Sequence, residues 1–216
     1  MSATRPVDLE ALRDAVQATC IERDGDYTLS SGEKSHYYYD GKRLALHPRW
    51  ASLLAEPLAD LVIESGVEAV GGMAVGAVPI AQSISLLAYE HYSREIPVFI
   101  VRQEKKEHGT KETIASAHLA PDRPLLQPGT KVAIVDDVVT KGGSIEKAIR
   151  AVEEIGCQVV LVAVIVERHE GGGHAIAARG YTFRRLFYTD RSGKLEIDES
   201  ISRRYSGVPT AGFSSR

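Results

Sequence analysis

The stretch Val132–Ser144, VAIVDDVVTKGGS, decides the fold of this chain. Four apolar residues, typical of a buried strand, lead into two adjacent acids, two more apolar residues and a turn of small and polar residues. In open α/β sheets, ligands bind where the carboxyl ends of the strands meet the following loops. The stretch therefore predicts a parallel sheet with a ligand site at its edge.

Apolar strands alternate with helices on both sides of this stretch. The pattern predicts a strand, a glycine turn and a helix over residues 68–91, a strand over 96–102, a helix over 142–156, a strand over 157–167 and a closing helix–strand pair over 173–189. Continuous apolar strands separated by helices are typical of a sheet that is covered on both faces. We therefore expect an α/β core at residues 47–190, with a central, mostly parallel sheet flanked by helices.

Two smaller parts flank the predicted core. Residues 1–46 predict an α+β hood, with a helix capped by Asp8 and two short strands in DYTLSSGEKSHYYYD. At the start of the core, residues 48–64 predict a helix that Pro57 kinks or splits and that Gly66 ends. Residues 191–216 form a C-terminal extension, and its end, YSGVPTAGFSSR, is expected to be mobile.

The charge balance excludes some partners. With 26 Lys and Arg against 29 Asp and Glu, the net charge of −3 gives no overall attraction to nucleic acid or to an anionic membrane. Cys20 and Cys157 are too few for a disulfide framework or a zinc site, which favours a reducing compartment and core positions for both. The start lacks the pattern of a signal peptide, and VVLVAVIV at 159–166 is too short to span a bilayer. We expect a cytoplasmic protein without nucleic-acid or membrane partners.

The turn after the acids has the composition of a phosphate cradle. Gly142 and Gly143 let backbone N–H groups converge, Thr140 and Ser144 add hydroxyl donors, and a helix begins here. The acids alone could cap a turn, but acids next to a cradle suit a ligand with a phosphate at one end and hydroxyls or a metal at the other, such as a phosphorylated sugar. The spacing of a P-loop is absent, and GGMAVG at 71–76 lacks the spacing of a dinucleotide fingerprint, so this glycine run could be only a tight turn.

The segment Arg102–Thr113, RQEKKEHGTKET, has no apolar residue and follows directly on a predicted strand. It could be a solvated hairpin. Its cations would also suit a mobile lid that closes over a polyanion and stabilises departing negative charge.

These motifs resemble those of the type I phosphoribosyltransferases, whose signature is an apolar strand, two acids, two apolar residues and a T-x-G-G-[ST] loop. Residues 132–144 match that signature throughout. Within the family, the chain is similar to the orotate branch, because YTLSSGEKSHYYYD, GGMAVGAVPIA, VRQEKKEHG and ERHEGG occur in the expected order over roughly residues 8–190. The resemblance implies a reaction in pyrimidine synthesis: orotate and phosphoribosyl pyrophosphate give orotidine 5′-monophosphate and pyrophosphate.

The resemblance also implies a role for each matching residue. Lys106, His108, Asp136 and Asp137 would be catalytic, and the acids would hold the ribose hydroxyls. Phosphoribosyl pyrophosphate would contact these four residues together with Gly71, Gly72, Gly76, Arg102, Gln103, Val138, Val139, Thr140, Lys141, Gly142, Gly143 and Ser144. Orotate would lie beside Tyr37, Tyr38, Thr140 and Arg168. Mg²⁺ would bind through the substrate pyrophosphate without a dedicated protein site, and a homodimer would share the lid between its subunits.

Several alternatives stay open at the level of sequence. Arg168 could pair with a neighbouring glutamate as a surface charge, and Tyr37–Tyr39 could be strand packing with one edge ring. Ser30, Gly76 and Gln103 stand where many orotate enzymes carry lysine. A phosphoribosyltransferase for another base, such as a purine, is therefore an alternative, as is a regulator that senses phosphoribosyl pyrophosphate and binds nucleic acid.

Overall fold

The computed structural model describes residues 7–28, 34–103, 113–116, 118–120 and 123–206. In chain order the helices are α1 Leu9–Cys20, α2 Lys42–Ala45, α3 Pro48–Ser65, α4 Ala77–Tyr92, α5 Gly143–Glu154, α6 Gly172–Ala178 and α7 Glu199–Tyr205. The strands are β1 Ile21–Thr28, β2 Lys34–Tyr39, β3 Ala69–Met73, β4 Val98–Val101, β5 Ile114–Ser116, β6 His118–Ala120, β7 Arg123–Pro124, β8 Lys131–Val139, β9 Gln158–Glu167, β10 Thr182–Thr189 and β11 Leu195–Ile197. None of the helices in these ranges combines the length and apolarity needed to cross a membrane.

The central sheet has seven strands in the order β11-β10-β9-β8-β3-β4-β5. The five inner strands are parallel to one another, and the edge strands β5 and β11 run antiparallel to their neighbours. Strand order reverses between β3 and β8: β4 follows β3 towards one edge, whereas β9 and β10 follow β8 towards the other. This architecture confirms the predicted α/β class with a mostly parallel sheet.

Helices cover both faces of the sheet. Along β8, Ala133 and Val135 pack in the core beneath α1, α3 and α4, while Val132 and Ile134 pack in a second core beneath α5 and α6. Successive residues of a strand point to opposite faces of the sheet. Because helices cover both faces, all four side chains are fully buried. The continuous apolar run that opens the motif thus follows from its central place in a two-sided sheet.

The hood and the third helix are close to the prediction, with one correction. Strands β1 and β2 pair antiparallel, and the side chain of Asp8 accepts a hydrogen bond from the backbone N–H of Ala11 at the start of α1. Of the prediction that Pro57 kinks or splits the next helix, the split is wrong, because α3 runs unbroken through Pro57 and ends at Gly66, whose φ is 68°. Proline removes one N–H donor, but the packing of α3 on α4 and β9 supports the helix on both sides of it.

The chain beyond residue 190 continues the fold rather than leaving it. Strand β11 pairs with β10, and Ile201 and Tyr205 of α7 belong to the main core, so the predicted closing pair at 173–189 is not the last part of the sheet. The hydroxyl of Tyr205 donates to Oδ2 of Asp60 on α3, at 2.5 Å. The sequence pattern missed this because short elements bury few apolar residues of their own. Residues 207–216, which hold most of the expected mobile end, lie outside the described residues, and the division at 46 and 190 stays a prediction.

The anchoring of α7 can be tested by stability measurements. Tyr205→Phe should lower the free energy of unfolding by about 1–2 kcal/mol, because it removes a donor from a buried carboxylate. Urea denaturation gives the value. Tyr181→Phe is the matched control: its hydroxyl also donates to a carboxylate, Glu153, at 2.8 Å but on the surface, so the change should be about 0.5 kcal/mol or less. Equal losses in the two variants would contradict the anchoring.

Candidate active site

A cavity of about 530 Å³ opens at the carboxyl ends of β3 and β8, where the strand order reverses. The hood closes one side of it through residues 38–42, and the turn after β9 closes another through Arg168. The sequence residues predicted for the site that line this cavity are Tyr38, Gly76, Gln103, Asp136, Asp137, Val138, Thr140, Ser144 and Arg168. The point of strand reversal is where open α/β sheets place their ligands.

Two adjacent carboxylates form the floor of the cavity. Asp136 and Asp137 are 6% and 7% exposed. Oδ1 of Asp136 accepts from the backbone N–H of Asp137 at 3.0 Å, and Oδ2 accepts from the hydroxyl of Ser144 at 3.2 Å. These contacts hold the first carboxylate in a fixed orientation at the end of the strand.

The burial of the acid pair is electrostatically costly. Burial raises the pKa of Asp136 well above its ordinary value, and the negative charge of Asp137 raises it further. Burial also raises the pKa of Asp137, while the positive charge of Lys42 opposes that shift. Two adjacent buried carboxylates favour a ligand that brings hydroxyl donors or positive charge.

The turn after β8 has the geometry of an anion cradle. Gly142 has a φ of 88°, which glycine adopts without strain, and it precedes α5, so the first N–H groups of that helix face the turn. The carbonyl of Thr140 accepts from the backbone N–H of Gly172 at 2.8 Å, which holds the turn against the start of α6. Lys141 and Gly143 are exposed, and Val139 is buried beneath the turn.

The glycines of the β3–α4 turn separate into two groups. Gly71 and Gly72 lie within β3 and do not line the cavity. A Cβ at Gly71 would lie 2.1 Å from the carbonyl oxygen of Phe99, and a Cβ at Gly72 would lie 2.2 Å from that of Val135. Sheet packing therefore accounts for these two. Gly76 does line the cavity, and a Cβ there would lie 2.6 Å from Oδ1 of Asp137. Its lack of a side chain leaves space above the acids.

Arg168 is held at the opposite wall by a set of specific contacts. Its guanidinium carbon lies 4.1 Å from the ring centroid of Tyr37, and Nη2 donates to Oγ of Ser35 at 2.9 Å and pairs with Glu170 at 3.0 Å. The residue is 2% exposed, so it is not the surface charge of the alternative interpretation. Its Nε is buried and has no hydrogen-bond partner among the described residues.

The three successive tyrosines of β2, Tyr37–Tyr39, have different positions. Tyr38 is 37% exposed, lines the cavity and stacks on Tyr27, with ring centroids 5.7 Å apart. Tyr37 and Tyr39 are buried. Tyr37 therefore does not flank the cavity as expected but supports Arg168 from below, and its hydroxyl hydrogen-bonds to that of Thr189 at 2.8 Å. The alternative of strand packing describes Tyr37 better, whereas Tyr39 is 5% exposed and still lines the cavity.

The predicted lid residues are only partly placed. Gln103 lines the cavity, and its amide donates to the carbonyl of Ala74 at 3.2 Å. Arg102 instead lines a second cavity of about 500 Å³, next to β5 and the end of α5. Lys106 and His108 lie outside the described residues.

Sequence reasoning missed several residues of the cavity wall. They are Tyr39 and Lys42 together with Met73, Ala74 and Val75, for which no individual role is predicted. Met73–Val75 lie within the run from Gly71 to Gly76, which is predicted as a whole to approach the pyrophosphate, so that run carried a signal for them. Lys42 had no such signal, because a lysine after Asp-Gly is typical of any exposed turn.

The described residues contain no group of three or more His, Cys, Asp or Glu side chains placed to hold a metal ion. The side-chain oxygen atoms at the cavity include those of the acid pair and the hydroxyls of Thr140 and Ser144. Hard oxygen donors of this kind match the preference of Mg²⁺.

Comparison with known proteins shows the family of this chain. Residues 47–179 match the family model described as the phosphoribosyl transferase domain. An orotate phosphoribosyltransferase of Rhodopirellula baltica is 40% identical over 185 residues, which cover 83% of this chain and 91% of the relative.

Solved structures give the same result. The crystal structure of Mycobacterium tuberculosis orotate phosphoribosyltransferase in complex with Fe(III) dicitrate is similar at a TM-score of 0.69 and 32% identity, covering 86% of this chain and 99% of that chain. A structure of the M. tuberculosis enzyme in complex with 5-phospho-α-D-ribosyl 1-diphosphate is similar at a TM-score of 0.66 and 30% identity, with the same coverage. The chain therefore belongs to the phosphoribosyltransferase family, on the branch of the orotate phosphoribosyltransferases.

Proposed function

We propose that this protein transfers the ribosyl 5-phosphate group of phosphoribosyl pyrophosphate to orotate, giving orotidine 5′-monophosphate and pyrophosphate in pyrimidine synthesis. One observation carries the proposal: a buried acid pair, a phosphate cradle and a buried arginine with an unpartnered Nε line one cavity. These three features match the ribose hydroxyls, the 5′-phosphate and the carboxylate of the substrates. In the reaction, a ring nitrogen of orotate loses its proton to solvent and bonds to the anomeric carbon as the carbon–oxygen bond breaks, and pyrophosphate leaves with the electron pair.

The acid pair would bind and stabilise the ribose. Carboxylate oxygens accept hydrogen bonds, so Asp136 and Asp137 can hold the two ribose hydroxyls. Breaking the anomeric bond develops oxocarbenium character on the sugar, as it does in glycoside hydrolysis. Negative charge held in a buried position favours that cation. The burial of the acid pair therefore strengthens its stabilisation of the transition state.

The cradle would hold the 5′-phosphate through Thr140–Ser144. The free N–H groups at the start of α5 point towards this turn, and the helix dipole adds partial positive charge. Fixing the phosphate fixes the orientation of the ribose above the acids, because the two ends of one ligand are held separately.

Orotate would lie between Arg168 and Tyr38. A guanidinium can offer a planar fork to a carboxylate, and the stacking on Tyr37 and the pair with Glu170 hold that fork in place before the ligand arrives. The exposed ring of Tyr38 offers an apolar face for the base.

Pyrophosphate and its metal would occupy the side of Gly76 and Gln103, with Lys106 and His108 contributed by the lid. Arg102 would have to turn from the second cavity to join them. Mg²⁺ fits this donor set: it usually keeps water and binds substrate phosphates, and Asp136 and Asp137 would face it through the ribose hydroxyls. When bound, the metal neutralises charge that develops on the leaving pyrophosphate. Closing the lid would keep water away from the oxocarbenium-like ribose. In a homodimer, this lid would be shared between the subunits. The cytoplasmic location remains part of the proposal.

The assay that decides the base is direct. With phosphoribosyl pyrophosphate and Mg²⁺, the purified protein should release pyrophosphate with orotate and not with adenine or hypoxanthine. Turnover of a purine and none of orotate would replace the proposal with a purine phosphoribosyltransferase. Binding of phosphoribosyl pyrophosphate without turnover of any base, together with salt-sensitive affinity for RNA or DNA, would favour the regulator instead.

Arg168→Lys provides the matched variant in that assay. It keeps the charge but removes the fork, so KM for orotate should rise about tenfold or more while KM for phosphoribosyl pyrophosphate changes by less than about threefold. An equal rise in both KM values would mean that Arg168 maintains the whole cavity and does not select the base.

Asp136→Asn should raise stability and abolish most activity. The folded chain binds a proton at Asp136 more tightly than the unfolded chain, so stability is lost as the pH rises from the ordinary pKa of 3.8 towards the higher folded value. Removing the charge therefore raises Tm at pH 7, and the gain shrinks as the pH approaches 4. The loss of one preorganised charge should lower kcat by about 10²-fold or more.

Asp190→Asn is the control for this effect. Asp190 is exposed, and hydrogen bonds from Ser192, followed by that from the backbone of Lys194, lower its pKa, so its ionised form favours folding. This variant should leave turnover unchanged and should not raise Tm. A lower Tm for Asp136→Asn at pH 7 would contradict the view that the acid pair opposes folding.

The shared lid can be tested by mixing two inactive chains. Lys106→Ala removes a lid cation, and Asp137→Asn removes an acid of the floor. If each lid serves the partner's cavity, random exchange of subunits should restore about a quarter of the wild-type sites, because half of the dimers are mixed and each has one intact site. No recovery after subunit exchange, verified with tagged chains, would place each lid on its own subunit.

A further inference from the structure

Lys42 lines the main cavity from the hood, at the first position of α2. Nothing in the sequence motifs marks it. Its side chain keeps 41% of its surface exposed while its Nζ pairs with Oδ1 of Asp40 at 2.6 Å. The side chain is therefore oriented by a partner and still accessible to a ligand.

The hood turn brings Lys42 next to the acid pair. At the preceding residue, Gly41, a Cβ would lie 2.8 Å from both Cβ and Oδ2 of Asp137. No larger residue fits at this contact, so the backbone before Lys42 lies directly against the floor of the cavity. The charge of Lys42 accordingly opposes the effect of burial on the pKa of Asp137.

The charge of the cavity wall leaves a role for this lysine. Among the described residues that line the cavity, the cations are Lys42 and Arg168. Arg168 is 2% exposed and is committed to Glu170, Ser35 and the ring of Tyr37. A substrate that carries a pyrophosphate needs accessible positive charge close to the ribose.

We propose that Lys42 is a further substrate-binding residue, which holds the pyrophosphate of phosphoribosyl pyrophosphate from the hood side. The inference rests on the proposed function. The ribose hydroxyls are assigned to Asp137, beside which Lys42 lies, and the pyrophosphate is bonded to that same ribose. The carboxylate of orotate is assigned to Arg168 at the other wall. As the anomeric bond breaks, the ammonium group of Lys42 faces the oxygen that gains negative charge.

The test is the affinity of Lys42→Met for two ligands measured separately by calorimetry. With magnesium pyrophosphate, Kd should rise about tenfold or more, since a charge-assisted contact is lost. With orotate, Kd should stay within about twofold. In steady-state assays, kcat/KM for phosphoribosyl pyrophosphate should fall by at least the same factor as the affinity for pyrophosphate. Lys42→Arg keeps the charge and should retain pyrophosphate affinity within about threefold.

Two neighbours serve as controls for a merely structural role. Arg43→Met removes the adjacent cation, which pairs with Glu22 outside the cavity, and should leave the affinity for pyrophosphate unchanged. Asp40→Asn breaks the pair with Lys42 but leaves the ammonium in place, so pyrophosphate affinity should change far less than in Lys42→Met. Equal losses in Lys42→Met and Asp40→Asn would reduce Lys42 to an anchor of the hood and overturn the inference.

The remaining outcomes separate the inference from the proposed function. Weaker orotate binding with unchanged pyrophosphate binding in Lys42→Met would assign the lysine to the base and overturn the inference while the proposed function stands. Unchanged affinity of Lys42→Met for both ligands would also overturn the inference while the proposed function stands. A wild-type protein that binds no pyrophosphate and turns over no base would overturn the proposed function, and the inference with it.

Discussion

The burial of two adjacent carboxylates at the end of β8 is the constraint on which the rest of the structure depends. A central strand must bury every residue it presents to both faces of the sheet, and Asp136 and Asp137 lie in that strand at 6% and 7% exposure. Ionised groups oppose such burial unless hydrogen bonds or opposite charges compensate. The molecule supplies a backbone N–H, the hydroxyl of Ser144 and the field of Lys42, and it leaves the remaining compensation to a ligand.

The neighbouring segments lie unusually close to this pair. The hood touches Asp137 through Gly41, the β3–α4 turn touches it through Gly76, and α6 lies against the cradle through Gly172, where a Cβ would lie 2.2 Å from the carbonyl oxygen of Thr140. Each contact excludes any side chain at the glycine. Three parts of the chain that are far apart in sequence are thereby held within reach of one ligand, which is the preorganisation that group transfer requires. The same arrangement makes the site locally unfavourable for folding, so the cores on both faces of the sheet must supply the stability.

The structure also assigns different work to similar residues. Gly71 and Gly72 are accounted for by sheet packing, whereas Gly76 is accounted for by the cavity. Tyr37 supports the arginine from below, whereas Tyr38 presents its ring to the cavity. In both cases the residue type is the same and its place in the chain makes the difference. Gly71 and Gly72 lie within β3, whereas Gly76 lies beyond it at the start of α4. Tyr37 and Tyr38 are successive residues of β2, and successive side chains of a strand point to opposite faces.

The sequence alone predicts the α/β class, which the structure confirms, and it predicts a ribosyl phosphate site at the end of β8, where the structure has a cavity. It could do so because VAIVDDVVTKGGS is a local pattern: strand, acids, cradle and helix start follow one another along the chain. Other features follow from the tertiary structure alone. It shows which glycines and tyrosines reach the cavity and that Arg168 is buried with an unpartnered Nε. It also shows that α7 is anchored to Asp60 and that Lys42 lies close enough to Asp137 to affect its pKa. These features join residues from distant elements, and such contacts depend on how the hood, the sheet and the C-terminal elements pack, which no local pattern encodes.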